Sequence, residues 1–402
     1  MTATSLQFCA VAGDASDPLV RRQYPEDAHA YRTAFQRDHG RIVHARAFRR
    51  LAGKTQVFTR RDSDHFRSRL THTIEVAQIA RTAASALGLN EDLTETLALV
   101  HDIGHPPFGH AGEKALNLAL NQALNQTGNQ QGQRFDHNLH ALRIVEHFEQ
   151  RYVAFRGLNL TLAVREGIIK HSHDYRVEEH PELAAYFLDQ RPPLEAQSID
   201  LADEIAYLTA DIDDGIESEI LHLEDVRANV PLFAGFFQKL AAKHPHAPGK
   251  LLLHESLKRM LDALVGDLIA TTRAQVQAAG VQSLADVRAC PQRLVTFSPE
   301  MEAQRRQAKR YLYQNLYESP ELLRDHDLGT EIIQGLFAHW MEHPEQLPTS
   351  YAAQVESEGA PRVIVDYIAG MTDAFCMAQW NGIQGNAMQG NAMQKNGNVR
   401  QQ

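Results

Sequence analysis

The chain has 402 residues, of which 43% are hydrophobic and 22% charged, as in ordinary globular proteins with one large or two medium domains. A net charge of −10 argues against a general nucleic-acid coat but is compatible with a local basic pocket. Because there is no membrane-length apolar run, no signal-peptide pattern and no CxxC pair among its three cysteines, we expect a cytoplasmic protein with reduced thiols and no membrane partner.

The first 24 residues show no regular period and predict a loosely held N-terminal arm. A helical pattern follows from Pro25 to about Ala52. The segment from residue 41 to residue 69 is strongly cationic, with nine Lys and Arg residues against two acidic ones. It forms either a solvated basic helix face or a site for a polyanionic substrate, since guanidinium groups match phosphate oxygens.

Two more helical patterns meet at the cap residues Gly88 and Asn90. The first covers residues 67–80 and carries His72 in its first turn. The second leads into the motif HDIGHPPFGHAGE, residues 101–113. The glycine and the two prolines of this motif stop one helix and allow another to open near Gly109, which predicts a helix–turn–helix corner.

The same motif places three histidines and two carboxylates at that corner. Imidazole and carboxylate groups are the ligands of borderline and hard divalent metals. A capped corner whose histidines bond to the backbone is the alternative. We favour a metal site because of the density of such groups.

After a helix from about Gly109 to Asn125, an Asn/Gln/Gly-rich loop is predicted over residues 126–133. Further helices are predicted over residues 135–149 and 160–171, the latter ending in the polar cluster Lys170-His171-Ser172-His173.

Residues 198–215 have a helical period in which Asp203, Tyr207 and Asp211 recur every four residues and share one face. Such a stripe is either exposed to solvent or balanced by a cation or a hydrogen-bond donor. With His72, His101 and Asp102, Asp203 completes a set of two histidines and two aspartates. This set would hold a divalent ion and leave positions for water and a substrate oxygen.

From residue 221 to residue 377 the chain predicts successive helices, so we expect an all-α fold. Their predicted ranges are 231–243, 249–278, 299–317, 320–343 and 361–379. A basic and aromatic stretch at residues 305–313 is interpreted as a surface helix or a subunit contact. Residues 381–402 contain a tandem Gly-Asn-Ala-Met-Gln repeat and few apolar residues, which predicts a disordered tail.

Four stretches together resemble the dGTPase-like deoxynucleoside triphosphate triphosphohydrolases of the HD-domain phosphohydrolase superfamily: RIVHARAFRRLAGKTQVF, RLTHT, HDIGHPPFGHAGE and ADEIAYLTADIDDG. The resemblance runs in motifs from Arg41 to Gly215 and extends through the helices to about residue 380. It implies an HD-domain helical bundle with additional C-terminal helices. It also implies a divalent cofactor (Mn²⁺, Mg²⁺ or a similar ion) and hydrolysis of a dNTP to the deoxynucleoside and inorganic triphosphate.

The resemblance also assigns roles to residues. The metal set is the one given above. His110 would be the catalytic acid/base and Glu113 would orient it, and their spacing of three independently supports this pair. Arg69 resembles the family's triphosphate-binding arginine, and Tyr207 and Asp211 match positions that meet the deoxyribose in relatives. His105 is a candidate for donating to phosphate or for supporting the metal ligands. Lys170 is a weaker phosphate candidate, based on its position after a predicted helix. One departure is Glu204, which stands where some relatives carry a lysine.

We therefore expect an N-terminal arm (1–24), an HD-domain catalytic core (25–220), a C-terminal helical region (221–380) and the tail (381–402). The expected partners are a dNTP substrate, a second copy of the chain in a homo-oligomer and, weakly, single-stranded nucleic acid. Two alternatives stay open. One is an HD phosphodiesterase or nucleotidase acting on another nucleotide or on single-stranded DNA ends, and the other is a nucleotide-binding module without catalysis.

Overall fold

The computed structural model describes residues 5–14, 16–58, 65–126 and 134–398, with residues 386–398 described by their backbone alone. The first half of the chain contains α1 Ala34–Val43, α2 Arg46–Arg50, α3 Arg69–Leu87, α4 Glu91–Val100, α5 Gly109–Gln126, α6 His137–Arg143, α7 Leu162–Lys170 and α8 Leu194–Glu217. The second half contains α9 Leu223–Asn229, α10 Pro231–Lys243, α11 Gly249–Ala278, α12 Leu284–Ala289, α13 Pro299–Leu312, α14 Pro320–Glu342, α15 Thr349–Ala352, α16 Val355–Glu358, α17 Ala360–Ala369 and α18 Asp373–Asn398. Within the described residues, isolated bridges are the only β-type pairing, and the all-α fold class is confirmed.

Local capping sets the helix ends nearest the predicted site. The Ser68 side chain accepts a hydrogen bond from the Thr71 amide and starts α3, which ends at Gly88 in the left-handed region with φ 77°. The Asn90 side chain accepts from the Leu93 amide and starts α4. These ends agree with the sequence prediction, because capping depends on nearby residues alone.

The predicted corner lies between α4 and α5. Residues 101–108 form a turn that ends with Phe108 at φ 61° and Gly109 at φ 56°. Two successive left-handed residues reverse the chain and open α5. For phenylalanine this backbone conformation is sparsely populated, so the surrounding structure must hold it.

Two apolar cores meet at this turn. The larger core is built around α3, which packs between α4 and α8, and it includes Ile103. The smaller core joins α5 to α14, α17 and α18, and it includes Phe108. The turn therefore has one end in each core, and the C-terminal helices directly support one side of it.

The N-terminal segment differs from the predicted loosely held arm. The Leu6 amide donates to the Leu87 carbonyl at 2.7 Å, and the Val11 amide donates to the buried Glu195 carboxylate at 3.0 Å. Leu6, Cys9 and Val11 are buried. Buried side chains and paired amides therefore hold this segment against the core. The sequence did not predict this, because the segment has no helical period.

Other bounds also differ from the prediction. α1 begins at Ala34, not near Pro25, because Thr33 forms a capping box with Gln36. The helix predicted up to about residue 379 is two helices, α17 and α18, separated at residues 370–372.

α18 is continuous to Asn398 and enters the segment for which the sequence predicts disorder. The side chains of residues 386–398 and all of residues 399–402 lie outside the described part, so the disordered tail stays a prediction. The predicted loop at 126–133 also lies outside it from residue 127 onward. Among the described residues, every helix is too short or too polar to span a bilayer.

Candidate metal centre and catalytic site

Three predicted metal ligands converge from three helices. His72 lies on α3, His101 follows the last residue of α4, and Asp203 lies on α8. Each offers one ligand atom, and these atoms lie within 4.8 Å of one another. The two histidines are buried, whereas the Asp203 side chain keeps 31% exposure and leaves the cluster open on one side.

The chemistry of this trio fits a cation. His101 Nδ1 lies 2.6 Å from the Ala98 carbonyl, so it donates there and Nε2 carries the lone pair. That Nε2 is buried without a hydrogen-bond partner and lies 3.8 Å from the Asp203 carboxylate. Burial alone would lower the pKa of His101, but Asp102 and Asp203 outweigh burial and raise it to about 9. A lone pair facing carboxylates is unfavourable unless a proton or a metal ion lies between them.

Asp102 borders the trio. Its Oδ1 lies 3.4 Å from His101 Nε2 and 3.0 Å from His105 Nδ1, while Oδ2 accepts from Arg69 Nη1 at 3.0 Å. Burial would raise the pKa of Asp102, but His101 and Arg69 hold it well below its usual range. The structure therefore presents a buried carboxylate beside the metal trio, with Arg69 and His105 attached to it.

Glu113 holds two histidines at the start of α5. Its Oε1 accepts from the His137 backbone amide at 3.0 Å and lies 2.8 Å from His137 Nδ1. Its Oε2 lies 3.6 Å from Nδ1 of His110, whose side chain is 75% exposed. Burial opposes ionisation, but hydrogen bonds from the two histidines hold the pKa of Glu113 well below its usual range. Glu113 is therefore a carboxylate that can orient His110 toward solvent.

His137 is a residue to which sequence reasoning gave no role. Its ring stacks on His105 with centroids 4.1 Å apart, and its pKa is raised because the bond to Glu113 outweighs burial. His105, Glu113 and His137 form a second trio of potential ligand atoms within 4.8 Å. The available signal was Asp136, whose side chain caps α6 and places His137 at the first position of that helix.

Three cations of the described part of this segment have structural partners. Arg41 pairs with Glu26, and Lys54 is buried between backbone carbonyls. Arg67 pairs with Asp213 and Asp214 on α8. Of these cations and Arg69, only Arg69 adjoins the predicted metal ligands.

Polar side chains of α8 are paired with residues of α13 and of the helical segment Tyr313–Tyr317 that follows it. Glu204, next to Asp203, pairs with Arg305 and lies 2.9 Å from Lys309 Nζ. The Tyr207 hydroxyl donates to Glu204 at 2.7 Å, and Lys309 lies 5.6 Å above the Tyr207 ring. Glu204, which stands where some relatives carry a lysine, thus holds Arg305 and Lys309 at the edge of the site.

Asp211 lies one turn further along α8 and is 3% exposed, which excludes a solvent-facing stripe there. Its Oδ2 accepts a hydrogen bond from the Tyr317 hydroxyl. Burial raises the pKa of Asp211 to about 7.

The Lys170 side chain binds groups outside the metal trio. Its Nζ donates to Glu166 at 2.9 Å and to the Phe187 carbonyl at 2.7 Å, and Glu166 also accepts two hydrogen bonds from Arg288. Lys170 lines a cavity of about 680 Å³ together with Arg191 and Arg288, and none of the predicted metal ligands lines that cavity. A phosphate role for Lys170 gains no support from this geometry.

Comparison with known proteins agrees with the geometry. A family model described as HD domain matches residues 69–208, and one described as phosphohydrolase-associated domain matches residues 295–381. A protein of Azoarcus sp. is 46% identical over 359 residues, which cover 89% of this chain and 92% of the relative. A protein of Ralstonia pickettii is 45% identical over 359 residues, and one of Geobacter sulfurreducens is 41% identical over 361 residues. Each match covers 89% of this chain and 90% of the relative. All three are named deoxyguanosinetriphosphate triphosphohydrolase-like protein.

The helical bundle, its His, His-Asp and Asp cluster and the domain matches define a metal-dependent phosphohydrolase of the HD-domain class. Identity above 40% over most of the chain resolves the family within that class. The chain belongs to the deoxyguanosinetriphosphate triphosphohydrolase-like family.

Proposed function

We propose that this protein hydrolyses deoxynucleoside triphosphates, dGTP-like ones included, to the deoxynucleoside and inorganic triphosphate. One observation carries the proposal. The turn of residues 101–108 joins His101 of the metal trio, which follows α4, to the Glu113–His110 pair at the start of α5. A phosphate held at the first group would have a proton donor at the second. The names of the relatives support the same substrate class.

His72, His101, Asp102 and Asp203 would hold the divalent ion, Mn²⁺, Mg²⁺ or a similar one. When bound, such an ion polarises a phosphate oxygen and lowers the pKa of a coordinated water. Arg69, held by Asp102, would donate to a phosphate oxygen beside the ion. Burial and Arg69 keep the pKa of His105 well below its usual range, so His105 would act as a neutral hydrogen-bond donor.

His110 would protonate the 5′ oxygen of the leaving deoxynucleoside. Its exposed ring can reach a bound substrate, and Glu113 near Nδ1 leaves Nε2 free to face that oxygen.

The deoxyribose would lie along α8. Tyr207 and Asp211 follow Asp203 at about 6 and 12 Å along the helix axis. A sugar packed on the Tyr207 ring has little room at C2′, where an unpaired hydroxyl would cost about 1–3 kcal/mol. We expect a preference for dNTPs over NTPs that Tyr207→Ala relaxes. The Tyr317 hydroxyl on Asp211 would give way to the 3′-hydroxyl of the substrate.

Product analysis tests the proposal. The protein is incubated with each of four dNTPs and four NTPs in Mn²⁺ or Mg²⁺, and inorganic triphosphate is quantified beside the nucleoside. His110→Ala, assayed at equal metal content, is the matched control. Triphosphate release from dNTPs supports the proposal, and pyrophosphate or monophosphate release indicates the phosphodiesterase or nucleotidase alternative. Equal turnover of GTP and dGTP would contradict the sugar model.

The cytoplasmic location, the homo-oligomer, the four-part division of the chain and weak binding of single-stranded nucleic acid stay predictions. Light scattering over a range of protein concentrations tests the oligomer, for which a monomer mass throughout would be contrary evidence.

A further inference from the structure

The turn that carries the catalytic histidines is held by a carboxylate from the C-terminal region. The Phe108 amide donates to Asp373 Oδ1 at 3.0 Å. Asp373 Oδ2 accepts from the Thr55 amide at 2.7 Å and from the Thr55 hydroxyl at 2.5 Å. One side chain at the start of α18 therefore ties the turn to a segment more than fifty residues earlier in the chain.

Lys54 adds a second connection between the same parts. Its buried ammonium donates to the carbonyl of His105 and, at 2.9 Å, to the carbonyl of Ala369. The Lys54 carbonyl accepts from the Arg69 amide at 3.3 Å. Residues 54 and 55 thus contact the start of α3, the catalytic turn and the C-terminal helices at once.

The conformation of the turn explains why such connections matter. Phe108 and Gly109 are both left-handed, and the first residue is one that rarely adopts this conformation. His110 follows directly. A relaxation of Phe108 toward a common conformation would rotate the start of α5 and move His110 relative to the metal trio. Displacements of about 1 Å at a catalytic group can cost about 10²-fold in rate.

We propose that Lys54, Thr55 and Asp373 form a brace by which the phosphohydrolase-associated region positions His105 and His110 for catalysis. These three are positioning residues, since Lys54 and Asp373 bond to the backbone of the turn and Thr55 holds the Asp373 carboxylate. The proposal assigns a task to the C-terminal region, which would otherwise be a packing layer. The kinetic part of its test, kcat and KM, rests on the proposed function. The structural part, hydrogen exchange, rests on the geometry alone.

The test compares Asp373→Asn and Thr55→Val with Asp267→Asn. An asparagine has one acceptor oxygen, so it cannot serve both Phe108 and Thr55, whereas valine removes only the hydroxyl donor. Asp267 on α11 is the matched control, because its carboxylate accepts from both the amide and the hydroxyl of Ser298, away from the turn. For each variant we would measure kcat, KM, metal content and hydrogen exchange in peptides covering residues 103–112.

In Asp373→Asn we expect faster exchange of the Phe108 amide, kcat lowered by about tenfold or more, KM within about twofold and metal content unchanged. Thr55→Val should show the same pattern more weakly, and Asp267→Asn should leave all four quantities near those of the unsubstituted protein. Unchanged exchange at Phe108, unchanged kcat in Asp373→Asn, or an equal kcat loss in Asp267→Asn would each overturn the brace. If the unsubstituted protein releases no triphosphate, the proposed function fails, while the exchange data still decide the structural claim.

Discussion

Asp211→Asn should make the protein more stable at neutral and alkaline pH while weakening its activity. The folded state raises the pKa of this carboxyl from 3.8 to about 7 by burial, so it binds the proton more tightly than the unfolded chain does. Stability is therefore lost as pH rises from about 4 through 7. The difference of about three units, at about 1.4 kcal/mol each, gives a cost of about 4 kcal/mol above pH 7. Asparagine avoids this cost and can still accept the Tyr317 hydroxyl.

Equilibrium urea unfolding of both proteins at pH 5, 6, 7 and 8 measures the effect. The two free energies of unfolding should lie closest at pH 5 and diverge toward pH 8, where the variant is more stable. Parallel curves would refute the reasoning from burial. In the pH 8 preparations, where the Asp211 carboxyl is ionised, kcat/KM for dNTPs should fall in the variant, because a neutral amide is a weaker acceptor for the 3′-hydroxyl than a carboxylate. Full activity would remove Asp211 from the sugar site.

Three further predictions concern the metal, the acid and the turn. His101→Ala should lose bound metal and nearly all turnover, and elemental analysis showing full occupancy would contradict its role as a ligand. Metal affinity of the unsubstituted protein should also fall in acid, because a ligating histidine must be neutral. His110→Ala should keep the metal and lose about 10²–10⁴-fold in kcat, whereas an empty metal site would make His110 a ligand. Gly329→Ala places a Cβ 2.8 Å from Phe108, so thermal and urea unfolding should show a loss of about 1–3 kcal/mol, with lower kcat. Gly266→Ala, which meets nothing within 4 Å, is its control and should be neutral or stabilising.

Helix ends were the most predictable part of the fold. α10 and α11 have the predicted bounds, and the caps of α3 and α4 lie at the predicted residues. These signals depend on residues within one turn of each other. The corner at residues 101–109 was predictable for the same reason, since Gly and Pro restrict the local backbone.

The candidate site was predictable only in part. His72 and Asp203 lie 131 residues apart in the sequence, so no local pattern shows that they meet. The residue types suggested the set of ligands, and the resemblance to a family supported it. The ring stacking of His137 on His105 has no such local signal. Lys170 shows the reverse case, because its place at a helix end suggested a ligand-binding cation while tertiary packing gave it Glu166 as a partner.

The path of residues 5–14 has a practical consequence for recombinant production. Glu195 is fully buried, and its Oε1 accepts from the amides of Val11 and Asn90. The Asn90 side chain in turn donates to the Val11 carbonyl at 3.0 Å. A shortened version that starts at residue 25, where the helical pattern begins, would strip Glu195 of one donor. It would also loosen the cap of α4, the helix that leads into His101. Fusion tags and truncations should therefore leave the chain intact from Ser5 onward.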